Sequence, residues 1–139
     1  MSPTPPLQPW PGTFLEALWD QEEVLVSSRG DGVVGTVPMW FAVIPPGFVY
    51  LLTPAFTKKA ERWRLDPWVR LRVRGGGPVV EGEVEAVGWS EAQNEVERLT
   101  SRFRLAGAAT PQALRWMLED GSRRLLRSGR RKAPGPGPH

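Results

Sequence analysis

The stretch EVLVSSRGDGVVGTVPMWFAVIPPGFVYLLT, residues 23–53, decides the fold. It contains three β-rich runs, EVLVSS, VVGTVPMWFAVI and FVYLLT, which are separated only by the turn-forming groups RGDG and PPG. Antiparallel strands can be joined by such tight turns, whereas parallel strands need a long crossover connection. The stretch therefore predicts a meander of three antiparallel strands.

Further helix and strand patterns follow the meander. The segment TKKAERWRLDP, residues 57–67, predicts a helix with Thr57 as its N-cap and Asp66-Pro67 as its end. WVRLRVR and VVEGEVEAVGW alternate apolar with polar residues, which predicts two more strands. Together these patterns favour a mainly β, antiparallel barrel with peripheral helices over a parallel sheet.

The peripheral helices are predicted from their start signals. Two capping boxes begin helices: Thr13 with Glu16 and Ser90 with Gln93. We expect the first of these helices to cover residues 13–21 and the second to run from Ser90 to about Leu105. A last helix is expected to begin at Thr110, which is followed by proline, and to continue through TPQALRWMLEDGSRRLLR.

Composition excludes several classes of chemistry. The chain has no cysteine, so it forms no disulfide and has no thiolate nucleophile and no zinc–cysteine site. The only histidine is His139, the last residue given, in a segment rich in glycine and proline. A histidine general base and most transition-metal sites are therefore not expected. Demanding chemistry would have to come from carboxylates or from a bound cofactor.

The glycines of GDGVVG, residues 30–35, satisfy the pattern G-x-G-x-x-G of dinucleotide-binding folds. That fingerprint requires a helix to begin at the glycines, so that a pyrophosphate meets the helix N-terminus. Here the following residues, TVPMWFAV, are β-rich and include Pro38. We therefore interpret these glycines as turn residues of a hairpin.

The start of the helix at Thr57 carries an unusual charge. Lys58 and Lys59 occupy its first two positions, although the partial positive charge of a helix N-terminus disfavours cations there. The preceding β-run ends in Thr53, and no acidic residue stands at the third helical position. These features together can form a cradle for a phosphate. The alternative is a solvated helix whose lysines simply face water.

Several short motifs follow one another along the chain: Val37-Pro38-Met39-Trp40-Phe41, Thr53, Thr57-Lys58-Lys59 and Leu65-Asp66-Pro67. In this order and spacing they resemble the pyridoxamine 5′-phosphate oxidase-like flavin-binding split barrels. The resemblance covers roughly residues 14–105. The resemblance implies a split β-barrel that forms a homodimer, with two flavins held at the subunit interface.

The resemblance also implies the roles of individual residues. Four residues would lie along the isoalloxazine ring: Val37, Pro38, Met39 and Trp40. Four others would hold the ribityl phosphate: Thr53, Thr57, Lys58 and Lys59. The expected cofactor is FMN, with the deazaflavin coenzyme F-420 as the alternative, because both present a phosphate to the same cradle. The expected activity is oxidation or reduction of a small-molecule substrate.

One departure from the family pattern bears on the activity. Oxidases of pyridoxamine phosphate have an arginine in the second strand and a cluster of basic residues for the substrate phosphate near the C-terminus. The run VVGTVPMWFAVI contains no arginine, and the C-terminal arginines do not form that motif. Activity on the vitamin is therefore not expected. A deazaflavin-dependent reductase, a flavin-binding store without turnover and a small RNA-binding barrel remain as alternatives.

The chain is short enough for a single domain, at 139 residues. We predict an irregular segment over residues 1–12, the flavin-binding barrel with its C-terminal helices over 13–128, and a disordered basic tail over 129–139. The cations are concentrated at one helix start and on that tail, so nucleic-acid binding is not favoured. No signal peptide or membrane span is predicted, and we expect a cytoplasmic protein.

Overall fold

The computed structural model describes residues 5–100 and 110–131. The strands are β1 (Leu7–Gln8), β2 (Glu23–Gly30), β3 (Val33–Trp40), β4 (Ala42–Ile44), β5 (Phe48–Pro54), β6 (Trp68–Arg72), β7 (Val79–Val87) and β8 (Arg123–Arg131). The helices are α1 (Gly12–Leu18), α2 (Lys58–Leu65), α3 (Trp89–Ala92), α4 (Val96–Thr100) and α5 (Pro111–Glu119), and a 3₁₀ turn over Gln93–Glu95 separates α3 from α4.

The described strands form one antiparallel sheet. Its order is β3-β2-β6-β7-β8-β5-β4, and β1 pairs with β8 outside this path. Every ladder is antiparallel, so the predicted mainly β, antiparallel class with peripheral helices is confirmed. Within the described part of the chain, no ladder joins the two outermost strands, β3 and β4, so backbone hydrogen bonds do not close the sheet.

Hydrophobic clusters cover both faces of the sheet. The first cluster includes Phe14 and Leu18 of α1 and Trp63 of α2, together with inward residues of most strands. The second lies under the C-terminal helices and includes Leu99 of α4 and Leu114 of α5. The sheet is thus a middle layer, with α1 and α2 packed on one cluster and α3 to α5 on the other.

The glycine-rich segment forms the predicted hairpin turn between β2 and β3. Asp31 and Gly32 are its two central residues, with φ angles of 52° and 75°. Positive φ at both central positions is the type I′ geometry, whose twist matches that of the flanking strands. No helix begins there, so the dinucleotide fingerprint is coincidental and the interpretation as turn residues is confirmed.

The prediction for the C-terminal segment is wrong in part. The last helix begins as predicted, with Thr110 as N-cap, but it ends at Glu119. Residues 123–131, predicted to be helix and then disordered tail, form β8, the strand between β7 and β5. Residues 129–131 therefore belong to the sheet, and the rest of the predicted tail lies outside the described residues.

The burial of β8 explains why its sequence does not look like a strand. Leu125 and Leu126 are adjacent yet both buried, because successive residues point to opposite faces and each face has its own cluster. Ser128 is also fully buried, and its hydroxyl accepts from Trp10 Nε1 at 3.1 Å and donates to the Val49 carbonyl at 2.7 Å. A strand covered on both faces loses the period-two pattern.

Both predicted capping boxes are wrong. Helix α1 begins at Gly12 after Pro11, and no side chain caps it, so Thr13 is not its N-cap. Helix α3 follows Gly88, which places Ser90 inside the helix. Each helix therefore begins earlier in the chain than an N-cap at the hydroxyl residue would place it.

Three element boundaries also differ from the predictions. The helix expected from Ser90 to Leu105 is broken into α3, the 3₁₀ turn and α4, and the part beyond Thr100 lies outside the described residues. The run VVGTVPMWFAVI is divided at Phe41 into β3 and β4. The predicted irregular N-terminal segment contains β1, whose Leu7 pairs with Arg131.

Candidate functional site

The start of α2 has the local geometry that the sequence predicts. Thr57 is the N-cap, and its Oγ1 accepts a hydrogen bond from the Ala60 amide at 3.2 Å. The same hydroxyl donates to the Pro54 carbonyl at 3.1 Å and lies 3.3 Å from Thr53 Oγ1. Thr53 is fully buried at the end of β5. These contacts fix the end of β5 against the first turn of α2.

The two lysines differ in their surroundings. Lys58 is exposed, whereas Lys59 is half-buried, and that burial lowers the pKa of its ammonium group. Within the described residues, neither lysine forms an ion pair with a carboxylate. Their backbone N–H groups are at the first two helical positions, which have no acceptor within the helix. A phosphate would supply both the negative charge and the acceptor atoms that this helix start lacks.

The four predicted ring-contacting residues lie at one end of the sheet, on β3. Val37, Pro38 and Trp40 are exposed, whereas the Met39 side chain is buried in the first cluster. Met39 could therefore face a ring only through its backbone. Among the described strands β3 pairs with β2 alone, so its other edge leaves backbone groups unpaired.

Arg62 connects helix α2 to the hairpin that carries these residues, a contact that sequence reasoning missed. Its side chain crosses the glycines of β2 and β3: a Cβ at Gly35 would lie 2.5 Å from Arg62 Nη1, and one at Gly30 would lie 3.0 Å from Arg62 Cγ. A side chain at either position would require Arg62 to move from this path. The glycines inside the strands were the available signal, because an interior glycine often marks a close approach.

The end of α2 is held by Asp66, which gives the Leu-Asp-Pro motif a structural role. Its Oδ2 accepts from Arg29 Nε at 2.6 Å, and its Oδ1 accepts from the Trp68 amide at 3.1 Å. The hydrogen bond from Arg29 and that from the Trp68 amide lower the pKa of the Asp66 carboxyl. The helix is therefore tied to β2 and β6 at its end as well as to β5 at its start.

Two tryptophans near this helix are accounted for by packing. Trp63 is buried in the first cluster, and its Nε1 donates to the Trp68 carbonyl at 3.0 Å. Trp68 donates through Nε1 to Glu81 Oε1 at 2.9 Å, and the guanidinium groups of Arg29 and Arg70 lie over its ring. Both indoles have a hydrogen-bond acceptor within the protomer.

The described residues contain neither a candidate metal site nor a candidate membrane-spanning helix. No cluster of three or more acidic, histidine or cysteine side chains that could hold a metal ion occurs in the ranges 5–100 and 110–131. In those same ranges, none of the helices has the length and apolar character needed to cross a membrane.

Comparison with known proteins gives matches at the level of structure only. No family model matches the sequence, and neither does any curated protein. A protein of unknown function from Agrobacterium tumefaciens matches with a TM-score of 0.60 and 18% identity over 83% of this chain and 50% of that chain. This chain therefore spans about half the length of that protein.

Two further similar structures are matched over most of their own length. A putative pyridoxamine 5′-phosphate oxidase from Listeria innocua has a TM-score of 0.57 and 16% identity, over 83% of this chain and 88% of that one. An FAD-binding protein from Mesorhizobium loti has a TM-score of 0.56 and 17% identity, over 82% of this chain and 84% of that one. The resemblance drawn from short motifs is thus confirmed at the level of the fold: the chain has a split-barrel fold like those of these two proteins.

Proposed function

We propose that this protein binds FMN and uses it to oxidise or reduce a small molecule. The observation that carries the proposal is Lys59 at the start of α2, a half-buried cation for which the described part of the chain offers no carboxylate partner. Burying an unpaired charge costs free energy, and a helix N-terminus adds to that cost for a cation. A bound phosphate removes both costs, and it is the group by which a flavin mononucleotide would be held.

The cradle residues would contribute to phosphate binding in different ways. Lys59 would supply the charge close to the phosphate, and Lys58 would assist from the exposed side. Thr57 holds the helix start in place, and Thr53 supports the Thr57 hydroxyl from within the sheet. Hydride chemistry belongs to the flavin, so the protein's task is to bind the cofactor, orient it and exclude water from it.

The ring would lie along the exposed edge of β3. Backbone groups of residues 37–40 are available there, because the far edge of β3 pairs with no described strand. Arg62 ties this strand to α2, so the phosphate cradle and the ring-contacting strand are held by the same hairpin and helix. A flavin extending from Lys59 towards Trp40 would contact both the phosphate cradle and strand β3.

A second copy of the chain would complete the site. The surface of β3 exposes large apolar side chains, including Val33, Val34, Val37 and Trp40, with Val33 53% exposed. An exposed apolar edge strand invites pairing with another chain unless it is covered. We propose a homodimer that covers this strand and places the cofactor at its interface, with more than about 2,000 Å² buried in total. A stable monomer in sedimentation at micromolar concentration would contradict it.

The absorbance spectrum of the purified protein tests the proposal most directly. A bound flavin absorbs in the visible range, and chromatography of the released compound distinguishes FMN from FAD and from the deazaflavin coenzyme. Protein purified without cofactor is titrated with FMN and, as the matched control, with riboflavin, which lacks the phosphate. We expect FMN to bind at least tenfold more tightly. Equal affinities would show that no phosphate is held at Lys59.

A further inference from the structure

A separate cavity of about 420 Å³ lies where β5, β7 and β8 come together. Its walls are the turn after β5, the end of β7, the turn after α5 and the first residues of β8, with Arg64 of α2 at one side. None of the eight residues predicted to contact the cofactor lines it. The volume is in the range of small-molecule sites.

The lining carries three cations and no carboxylate. Arg64, Arg123 and Arg124 all border the cavity, and in the described part of the chain none of them forms an ion pair. Asp120 does not line the cavity, and its Oδ1 accepts from the Ser122 amide at 2.8 Å. Its hydrogen bonds to Ser122 and, to a lesser degree, the charge of Arg123 lower the pKa of the Asp120 carboxyl, but the two side chains form no ion pair. By contrast, many arginines elsewhere pair with carboxylates: Arg29, Arg74, Arg98, Arg115, Arg127 and Arg131.

One of these cations is left with an unmet hydrogen bond. Arg123 Nε is buried and has no partner, and it is the only such side-chain atom found in the described residues. The contact that Arg123 does make is long, from Nη1 to the Ser122 carbonyl at 3.4 Å. Because buried donors are almost always paired in native proteins, this atom calls for an acceptor that residues 5–100 and 110–131 do not provide.

The rest of the lining is apolar and indicates what would accompany the anionic group. Phe56 is 94% exposed in the turn after β5, although aromatic rings usually find cover. The other apolar side chains at the cavity are Ala55, Ala86, Val87, Leu118 and Leu125. Arginine binds carboxylates and phosphates through two parallel hydrogen bonds, which a single guanidinium can direct at one ligand.

We propose that this cavity binds a small organic anion, a carboxylate or phosphate attached to an apolar body, at a site separate from the cofactor cradle. The anionic group would accept hydrogen bonds from Arg123 and Arg64 and lie within the field of Arg124. The apolar body would pack on Phe56 and Leu118, which would remove the ring of Phe56 from water.

Calorimetric titration of the full chain with phenyl phosphate tests this site. The titration is done in the presence of saturating FMN, which fills the cradle at Lys59, and we expect one phenyl phosphate bound per protomer. Inorganic phosphate lacks the apolar body and benzyl alcohol lacks the charge, so each should bind at least tenfold more weakly. If phenyl phosphate does not bind, or if FMN displaces it, the proposal is wrong.

Substitutions then assign the binding to the cavity. Arg123→Met and Arg64→Met should each weaken phenyl phosphate binding about ten- to a hundredfold, as expected for loss of a charge-assisted contact. The matched control is Arg115→Met, because Arg115 lies on α5, pairs with Glu119 at 2.5 Å and does not line the cavity. If Arg123→Met fails to fold, the Arg64 variant carries the test, since Arg64 is exposed.

The outcome does not depend on the proposed flavin function. If the protein binds no FMN, the same titration is made with Lys59→Ala, which removes the charge of the cradle. Binding that survives in Lys59→Ala and is lost in Arg123→Met supports the cavity. Binding that is lost in Lys59→Ala and kept in Arg123→Met would place the anion at α2 and overturn the proposal.

Discussion

The later part of β8 and the start of α2 use their cations in opposite ways. On β8, Arg127 Nε lies 2.8 Å from Glu85 Oε1, and its Nη1 lies 2.7 Å from Glu91 Oε2. Arg131 Nε lies 2.6 Å from Glu83 Oε1 on the neighbouring strand β7. On α2, the two lysines of the first turn have no carboxylate partner among the described residues.

The difference separates cations that the sheet pairs with carboxylates from cations for which the described residues provide no carboxylate. Glu85 is directly opposite Arg127 in the β7–β8 register, so the pair forms as a consequence of the sheet itself. Burial opposes the charge of Arg127, but its hydrogen bonds to Glu85 and Tyr50 outweigh that effect and raise the pKa of the guanidinium. Among the described residues Lys59 has no comparable partner, and the proposed phosphate would play that part.

The largest effect should follow from removing the unpaired cation. Lys59→Ala removes one charge-assisted contact to the phosphate, so FMN affinity should fall about ten- to a hundredfold. Without FMN, the variant should be at least as stable as the unchanged protein, because an unfavourable dipole interaction of about 0.3–1 kcal/mol is relieved. A flavin titration and a thermal melt measure the two effects.

Lys58→Ala is the matched control for this prediction. It removes the same charge from the adjacent position, but Lys58 is exposed, so the loss of FMN affinity should be smaller. Equal losses in both variants would mean that only the overall charge of the helix start matters. Unchanged affinity together with a less stable Lys59→Ala protein would mean that no anion is bound there.

A paired cation should show the reverse behaviour. Arg127→Met leaves Glu85 and Glu91 without their partner and removes a contact to the Tyr50 hydroxyl, so we expect a loss of about 1–3 kcal/mol in the free energy of unfolding. FMN affinity should be unchanged, because Arg127 is not among the cradle residues. Denaturant unfolding and the flavin titration, made on the same variant, check both statements. A weakened flavin site with unchanged stability would contradict the division between the two regions.

The elements around α2 could be predicted from the sequence because their patterns are local. The turn at Asp31, the N-cap at Thr57 and the helix end at Asp66 each depend on residues within a few positions of one another. The sheet strands β2, β5 and β6 likewise follow from apolar runs between turn residues. Sequence reasoning therefore predicted the elements that carry Thr53, Thr57, Lys58 and Lys59, whereas their role as a phosphate cradle stays a prediction.

The C-terminal strand β8 could not be predicted, because the contacts that stabilise it come from segments far away in the sequence. RRLLRSGRR contains five arginines and a glycine, and nothing within the segment shows that glutamates of β7 face Arg127 and Arg131. The reason for a glycine at position 129 is visible only in the folded protein, because a Cβ there would collide with the Gln8 carbonyl oxygen and crowd the ring of Phe48. Likewise, the cavity at Arg123 is made by segments that lie far apart in the sequence.

Removing the N-cap hydroxyl of α2 should have a smaller effect on stability and FMN affinity. Comparison with the N-cap of α5 distinguishes the contribution of Thr57 to its helix from its contribution to FMN binding. Thr57→Ala deletes the acceptor of the Ala60 amide and should cost about 1 kcal/mol of stability with or without FMN. Thr110→Ala makes the same change at α5, where the hydroxyl accepts from the Ala113 amide at 3.1 Å. Both variants should melt earlier, but only Thr57→Ala should also bind FMN more weakly. Equal FMN affinities in the two variants would show that Thr57 serves the helix alone.

The smallest expected effect is a dependence on pH that belongs to Lys59. Burial lowers its pKa, so in the cofactor-free protein the lysine gives up its proton at a lower pH than it does in the unfolded chain. The unfolded state then holds more protons over that interval, and the stability of the cofactor-free protein should rise with pH. FMN affinity should move in the opposite direction, because the phosphate is attracted only by the protonated lysine. We therefore expect FMN binding to weaken as the pH rises through the lowered pKa of Lys59.

Lys59→Met is the reference for that measurement. Ionisation of the flavin itself affects both proteins equally, so the ratio of their dissociation constants isolates the lysine. The ratio should be largest on the acidic side of the lowered pKa of Lys59, where the ammonium group is charged, and should approach unity as the lysine loses its proton. Titrations at a series of pH values up to about 10 would show this trend. A ratio that stays constant with pH would mean that the ammonium group of Lys59 does not contact the phosphate, and the contrast with the paired cations of β8 would then lose its functional meaning.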